Sequence, residues 1–211
     1  MVREQIESRG VRDARVLEAM REVPREAFVP SGLTASAYED GPLPIGEGQT
    51  ISQPYIVAMM VEALNPRPGE RALEIGAGSG YAAAVLGRLA GEVEAVEVHG
   101  SLARSAARRV AELEYDNVRV HHADGTEGWP ARAPYDAILV SACGREVPGP
   151  LLEQLAAGGR MVIPIGDGPS GQELLRVTRR PDGGLERERL GGVRFVPLRG
   201  AGGESGGSAS V

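Results

Sequence analysis

The 211-residue chain contains no lysine: all 23 of its basic residues are arginine. That excludes Schiff-base catalysis and the lysine that a phosphate-binding P-loop needs. There is no excess of positive charge either. The formal net charge is −6 and the isoelectric point about 5.2, so the basic face of a nucleic-acid binder is not expected. One cysteine, Cys143, cannot form an internal disulfide, which suits a reducing, cytoplasmic setting. A single Cys and three His, two of them adjacent, leave no ligand set for a structural zinc, and no metal is expected. No apolar run approaches 18 residues, so no membrane partner is expected. The charged start "MVREQIESRG" lacks the apolar stretch of a secretory signal.

What is present reads first as a helical N-terminus. Over residues 3–29, Val11, Val16, Leu17 and Met20 fall near helical spacing, interrupted by Gly10 and ended by Pro24. Residues 31–52 are rich in Gly, Pro and Ser, which is long for a structureless connection and so suggests a functional loop. "PYIVAMMVEAL" reads as a helix with Pro54 in its first turn and Ser52 or Gln53 near its cap. From there strands and helices alternate. Strands are expected at 71–76, 92–98, 117–124, 135–142 and 158–166, and helices at 81–90, 101–114 and within 147–156. "QELLRVTRR" and "VRFVPL" would add two later strands. This order predicts an open α/β fold, with a mostly parallel sheet covered on both faces. Three parts follow: an N-terminal helical segment and substrate-side loop over 1–52, the α/β domain over 53–199, and a Gly/Ser-rich, disordered tail over 200–211.

The most informative motif is "LEIGAGSGY" at 73–81, a Gly loop that follows a strand and opens a helix. Gly76, Gly78 and Gly80 allow a tight turn and close approach to a ligand. Glu97 ends the next strand, 21 residues after Gly76, where a carboxylate can accept both hydroxyls of a ribose. A dinucleotide fingerprint would need a glycine at 81, which is Tyr81. Glu74, two residues before the first glycine, disfavours a pyrophosphate and suits a cationic amino-acid end. Asp124 and Gly125 end a third strand, where a carboxylate and a backbone amide can meet an adenine. Together these features point to S-adenosylmethionine. Three other signals carry less. "GESGG" at 203–207 mimics a nucleophile motif but lies in the tail with no strand before it. His99 reads as a partly exposed surface group and Cys143 as a buried, inert thiol.

"GEGQTISQPYIVAMM", "LEIGAGSGYAAAVL", "HADGTEGWPARAPYDAILVSA", "LLEQLAAGGRMVIPIG" and "GVRFVPL", taken in order with the helix "DARVLEAMREVPREAFVP", resemble the protein-L-isoaspartate O-methyltransferases. The resemblance covers about residues 3–199. It implies a Rossmann-like methyltransferase fold with a seven-stranded sheet and an N-terminal helical extension. It implies methyl transfer from S-adenosylmethionine to the α-carboxylate of L-isoaspartyl residues in damaged proteins and peptides, by a monomer. In that reading Ser52 and Thr50 are catalytic. The cofactor is held by Ile51, Glu74, Gly76, Ala77, Gly78, Gly80, Glu97, Val98, Asp124 and Gly125. Substrate is met by Gln49, Ser52 and Val193. The chain departs from the family's usual residues at Glu47 and at "ACGR" (142–145). A small-molecule methyltransferase of the same fold is the alternative, since it would share the cofactor motifs without needing "GQTIS". A cofactor-binding protein without catalysis and a nicotinamide oxidoreductase stand further off.

Overall fold

The computed structural model describes residues 1–167 and 171–200. Seven strands form one sheet: β3 (Arg71–Ile75), β4 (Glu92–Glu97), β5 (Val118–His122), β6 (Tyr135–Val140), β7 (Leu155–Ile165), β8 (Gln172–Arg179) and β9 (Leu185–Val193). Their order is β5-β4-β3-β6-β7-β8-β9. Strands β3 to β7 pair in parallel, and β8 runs antiparallel to both of its neighbours. Strands alternate their side chains between faces, and here both faces are covered. Ala72, Val93 and Leu139 pack under α1 (Ala14–Glu22), α2 (Pro54–Leu64) and α3 (Tyr81–Gly87). Leu73, Ile75, Val96 and Ile138 face a second core with Leu151 of α5 (Gly149–Glu153). That is why these strands read as continuous apolar runs in the sequence. Helix α4 (Gly100–Glu112) packs against β5 and β4.

The N-terminal stretch is less regular than its periodicity suggests. A single helical turn at Val2–Ile6 precedes α1, whose first turn is capped by Asp13, the side chain accepting from the Arg15 amide at 2.8 Å. Residues Ile6, Val16 and Met20 belong to the same core as α2 and α3, so this extension packs with the sheet's helices.

Two expectations need correction. Residues 31–52, expected as a functional loop, contain regular structure: after a 3-10 segment they form an antiparallel hairpin, β1 (Leu43–Gly46) and β2 (Gln49–Ile51). The last strand is not "VRFVPL" but β9, which ends on the first residue of that segment, Val193. Strand β9 is an edge whose Glu186, Arg187, Glu188 and Arg189 are all exposed. Over that charged run it gives no hydrophobic alternation, only Leu190 and Val193 near its end packing against the core, and alternating charge is how an edge resists pairing with another chain. Residues 194–199 instead cross beside β6, where Cys143 donates its amide to Val196 O and accepts from the Leu198 amide. Residues 201–211 of the expected disordered tail lie outside the described residues.

Candidate active site

The strand order reverses between β3 and β6, and ligands bind at such a point, beyond the carboxyl ends of the strands. The Gly loop leaves β3 there. Gly76, Gly78 and Gly80 take φ of 82°, 53° and 90°, a region that side chains with a Cβ rarely enter. Space is also tight at Gly78, where an added Cβ would lie 3.1 Å from Ile45 Cδ1 of β1. The hairpin therefore rests on the loop. Gly80 is turned the other way, towards Ala106 of α4.

Glu97 at the end of β4 is only 4% exposed. Its Oε2 accepts from the Gly78 amide and its Oε1 from the His99 amide, both at 2.8 Å. A carboxylate has about four acceptor sites, so two remain for a diol in the adjacent cavity. That cavity is lined by Gly76, Gly78, Glu97, Val98, Gly125 and, from β2, Gln49 and Thr50. Gly125 has no room for a side chain, because a Cβ would sit 2.6 Å from Ile75 Cγ2. Asp124 caps the short turn that follows it, Oδ1 accepting from the Thr126 amide at 2.9 Å and hydroxyl at 2.7 Å.

Glu74 shares a face with Ala72 and is sealed beneath α2 and α3. Burial pushes its carboxyl up to about 8; the Ser141 hydroxyl opposes this and the charge of Glu97 adds to it. Ser141 Oγ donates to Oε1 at 3.0 Å, while Oε2 is buried with no partner among the described residues. A buried carboxylate oxygen left unpaired is costly, and a cation placed against it removes the cost. The cavity at Glu74 also takes in Ile51, Ser52, Gly76, Ala77 and Gly78. Together, an acceptor pair for a sugar and a buried, unpaired carboxylate oxygen about one Gly loop away fit an adenosine carrying a cationic amino-acid tail.

Beyond these lies an open groove of about 1210 Å³ between α2 and the segment Leu190–Val196. Four residues stand where cavities and groove meet, the apolar Val196 joining the Glu97 cavity to the groove and three hydroxyl residues beside it. Thr50 and Ser141 line all of them, and Ser52 lines both the Glu74 cavity and the groove. The residue at the N-cap of α2 is Gln53, and no side chain caps that helix. The hydroxyls of Ser52 and Thr50 form no hydrogen bond among the described residues, so neither is consumed by the fold. Val193 lines the groove, whereas Gln49 lies on the Glu97 side of the junction, its side chain donating to Glu47 O at 3.1 Å.

Several residues at the site escaped the sequence reading. Ser141 follows β6 with no motif to mark it. His99, read as a partly exposed surface group, is indeed half-buried, but it lines the Glu97 cavity with its Nε2 buried and without a partner among the described residues; its place two residues after Glu97 was the available signal. Val196, Pro197 and Leu198 wall the same cavity, and only their pairing with Cys143 brings them there. Cys143 is buried, as expected.

Residues 1–203 match the family described as Protein-L-isoaspartate(D-aspartate) O-methyltransferase. A protein-L-isoaspartate O-methyltransferase of Rhodopseudomonas palustris is 59% identical over 201 residues, covering 95% of this chain and 92% of that one. One from Methylorubrum populi is 58% identical over 203 residues, covering 96% and 95%. Among solved structures, a protein-L-isoaspartate O-methyltransferase superposes with a TM-score of 0.85 at 32% identity, covering 96% of this chain and 67% of the other. A putative one from Plasmodium falciparum, solved in complex with S-adenosyl-L-homocysteine, gives 0.80 at 27% identity, with 94% and 96% covered.

Proposed function

This chain belongs to the protein-L-isoaspartate(D-aspartate) O-methyltransferase family, and from that premise we propose how its residues divide the work. The enzyme transfers a methyl group from S-adenosylmethionine to the free α-carboxylate of L-isoaspartyl residues in damaged proteins and peptides, the first step of repair through a succinimide. Glu97 holds the ribose and fixes the Gly loop through the Gly78 amide; Val98, Asp124 and Gly125 flank the adenine end. The unpaired Oε2 of Glu74 receives the ammonium of the amino-acid end, with Ile51 and Ala77 beside it.

The bound cofactor supplies an activated methyl on sulfur, and the substrate carboxylate is already ionised at neutral pH. No strong base is required, so the protein's task is to set the attacking oxygen in line. Ser52 and Thr50 donate to that carboxylate without placing a full positive charge on it. The observation that carries this reading is their position: two hydroxyls, unengaged among the described residues, where the groove meets the cofactor cavity. Helix α2, joined by Arg9, Pro42, Thr50 and Ser52 of the segment 1–52, and Leu190–Val196 form the walls of the peptide groove, with Val193 on the far side and Gln49 at its cofactor end. The charged β9 edge supports a monomer, and the buried lone thiol fits a cytoplasmic enzyme. No helix among the described residues is long and apolar enough to cross a membrane.

The test is a pair of peptides identical except for one linkage. With labelled cofactor, the L-isoaspartyl peptide is expected to gain base-labile label at least about 100-fold faster than its normal aspartyl twin, the gap that 2.7 kcal/mol of positioning provides. Equal labelling of both, or labelling of small carboxylic acids only, contradicts the assignment.

Glu74 gives a pH signature. Its folded pKa of about 8 lies above the ordinary glutamate value. The stability that follows from keeping it protonated is complete below about 4.5 and is lost as pH rises through about 8. Melting temperatures of the ligand-free protein between pH 5 and 9 are expected to fall less steeply for Glu74→Gln than for the parent. At pH 7 the parent is further expected to release a proton on binding S-adenosylhomocysteine, seen as a binding heat that varies with buffer ionisation. Glu74→Gln should release none, and a variant still releasing that proton would remove Glu74 from this role.

A further inference from the structure

The rim of the groove carries a carboxylate receptor that the methyl transfer does not use. Arg9, from the turn before α1, stacks its guanidinium over the Tyr55 ring at 3.7 Å. Its Nη1 donates to Asp40 Oδ2 at 3.1 Å and Oδ1 at 3.4 Å. Asp40 is itself held by Gln53 Nε2 at 2.7 Å. Ring and ion pair thus fix the plane and the rotation of the guanidinium. Its Nε and Nη2 make no hydrogen bond among the described residues. That pair of parallel N–H groups is the edge that grips a carboxylate bidentately.

Charge points the same way. On a chain of net charge −6, the charged residues lining the groove are Arg9 and Arg194, with no Asp or Glu among the described lining residues. Distance is suitable as well. Tyr55 is three residues from Ser52, so the chain path between them is at most about 10 Å. A peptide whose isoaspartyl carboxylate sits at Ser52 can therefore bring the side chain of a residue one or two positions away onto Arg9.

We infer that Arg9, with Nη1 tied to Asp40 and its face laid on Tyr55, selects isoaspartyl sites flanked by an aspartate or glutamate side chain. The inference rests on the isoaspartyl reading above and adds a substrate class to it. It also distinguishes two uses of the same cation. Gripping the reacting carboxylate would serve every substrate alike, whereas gripping a neighbour serves acidic ones only.

The experiment uses two N-acetylated, C-amidated isoaspartyl peptides that differ only in carrying Glu or Gln at the two flanking positions. Both peptides are expected to be methylated, with kcat/KM about fivefold higher for the Glu peptide at low salt, the upper range for a half-exposed charge pair. The advantage should shrink by 0.5 M salt. Arg9→Gln should abolish the preference while leaving the Gln peptide within about twofold of the parent. Arg9→Lys keeps the charge without the fork and should retain only part of it. Two outcomes overturn the inference while sparing the isoaspartyl reading: equal rates for the two peptides with the parent enzyme, or an Arg9→Gln variant that is folded by circular dichroism and loses both substrates equally. No methylation of either peptide would remove both.

Discussion

Ser52→Ala is expected to lower kcat about 30-fold while leaving the dissociation constant for S-adenosylhomocysteine within about twofold. The size follows from losing one hydrogen bond to a charged group, roughly 2 kcal/mol, in the step where that bond aligns the attacking oxygen. The asymmetry follows from position. Ser52 reaches the groove and the edge of the Glu74 cavity but not the cavity at Glu97. The variant should also fold normally, because the hydroxyl neither caps α2 nor bonds to any described residue. Single-turnover rates separate this from a slower product release. Turnover within about twofold of the parent, in a folded variant, would show that Ser52 does not orient the carboxylate. Thr50→Ala should give a smaller loss. Loss of both hydroxyls should fall short of the product of the single effects if they share one carboxylate.

Glu97→Ala is expected to weaken S-adenosylhomocysteine binding by about 100-fold or more. Two charge-assisted bonds to the ribose are removed together, each on the order of 1.5–3 kcal/mol. The Gly78 and His99 amides also lose their acceptor, so the loop that should cradle the ligand is no longer fixed. The Michaelis constant for the cofactor should rise while that for the peptide changes little, since Glu97 does not line the groove. A lower melting temperature is expected too, because both half-buried amides lose their acceptor. Glu97→Gln is the useful companion. Its single carbonyl oxygen can serve one amide but not both, so affinity should fall between parent and alanine variant. An alanine variant that binds within about fivefold of the parent would place the sugar elsewhere.

How much of this was legible in the sequence depends on the kind of signal each residue leaves. The parallel core was legible because strands buried on both faces must be apolar throughout, as in "YDAILV". The Gly loop and Glu97 were legible because tight turns need glycine and because the acidic strand end falls at a fixed distance from it. Strand β9 was not. Its exposed run "ERER" has no buried side, and pairing with β8 makes it a strand. The hairpin β1–β2 was hidden for a similar reason: four and three residues long, it offers too little alternation to outweigh its glycines and prolines. Ser141 was missed because its value lies in a contact across the sheet. Ser141 matters as the partner of Glu74, 67 residues away, and no local pattern encodes that. Arg9 is the extreme case. In sequence it is one arginine among 23, and only Tyr55 and Asp40, brought together by the fold, make it a receptor.

The central claim is spatial: one junction, bounded by Thr50, Ser52 and Ser141, joins a cofactor held at Glu97 and Glu74 to a peptide lying in the groove. A crystal structure of the enzyme with S-adenosylhomocysteine and an L-isoaspartyl peptide tests it directly. The account predicts the ribose hydroxyls on Glu97, the ammonium on Glu74 Oε2, and the isoaspartyl carboxylate within hydrogen-bond reach of Ser52. Cofactor density away from the Gly loop, or a carboxylate seated far from Ser52, would contradict it.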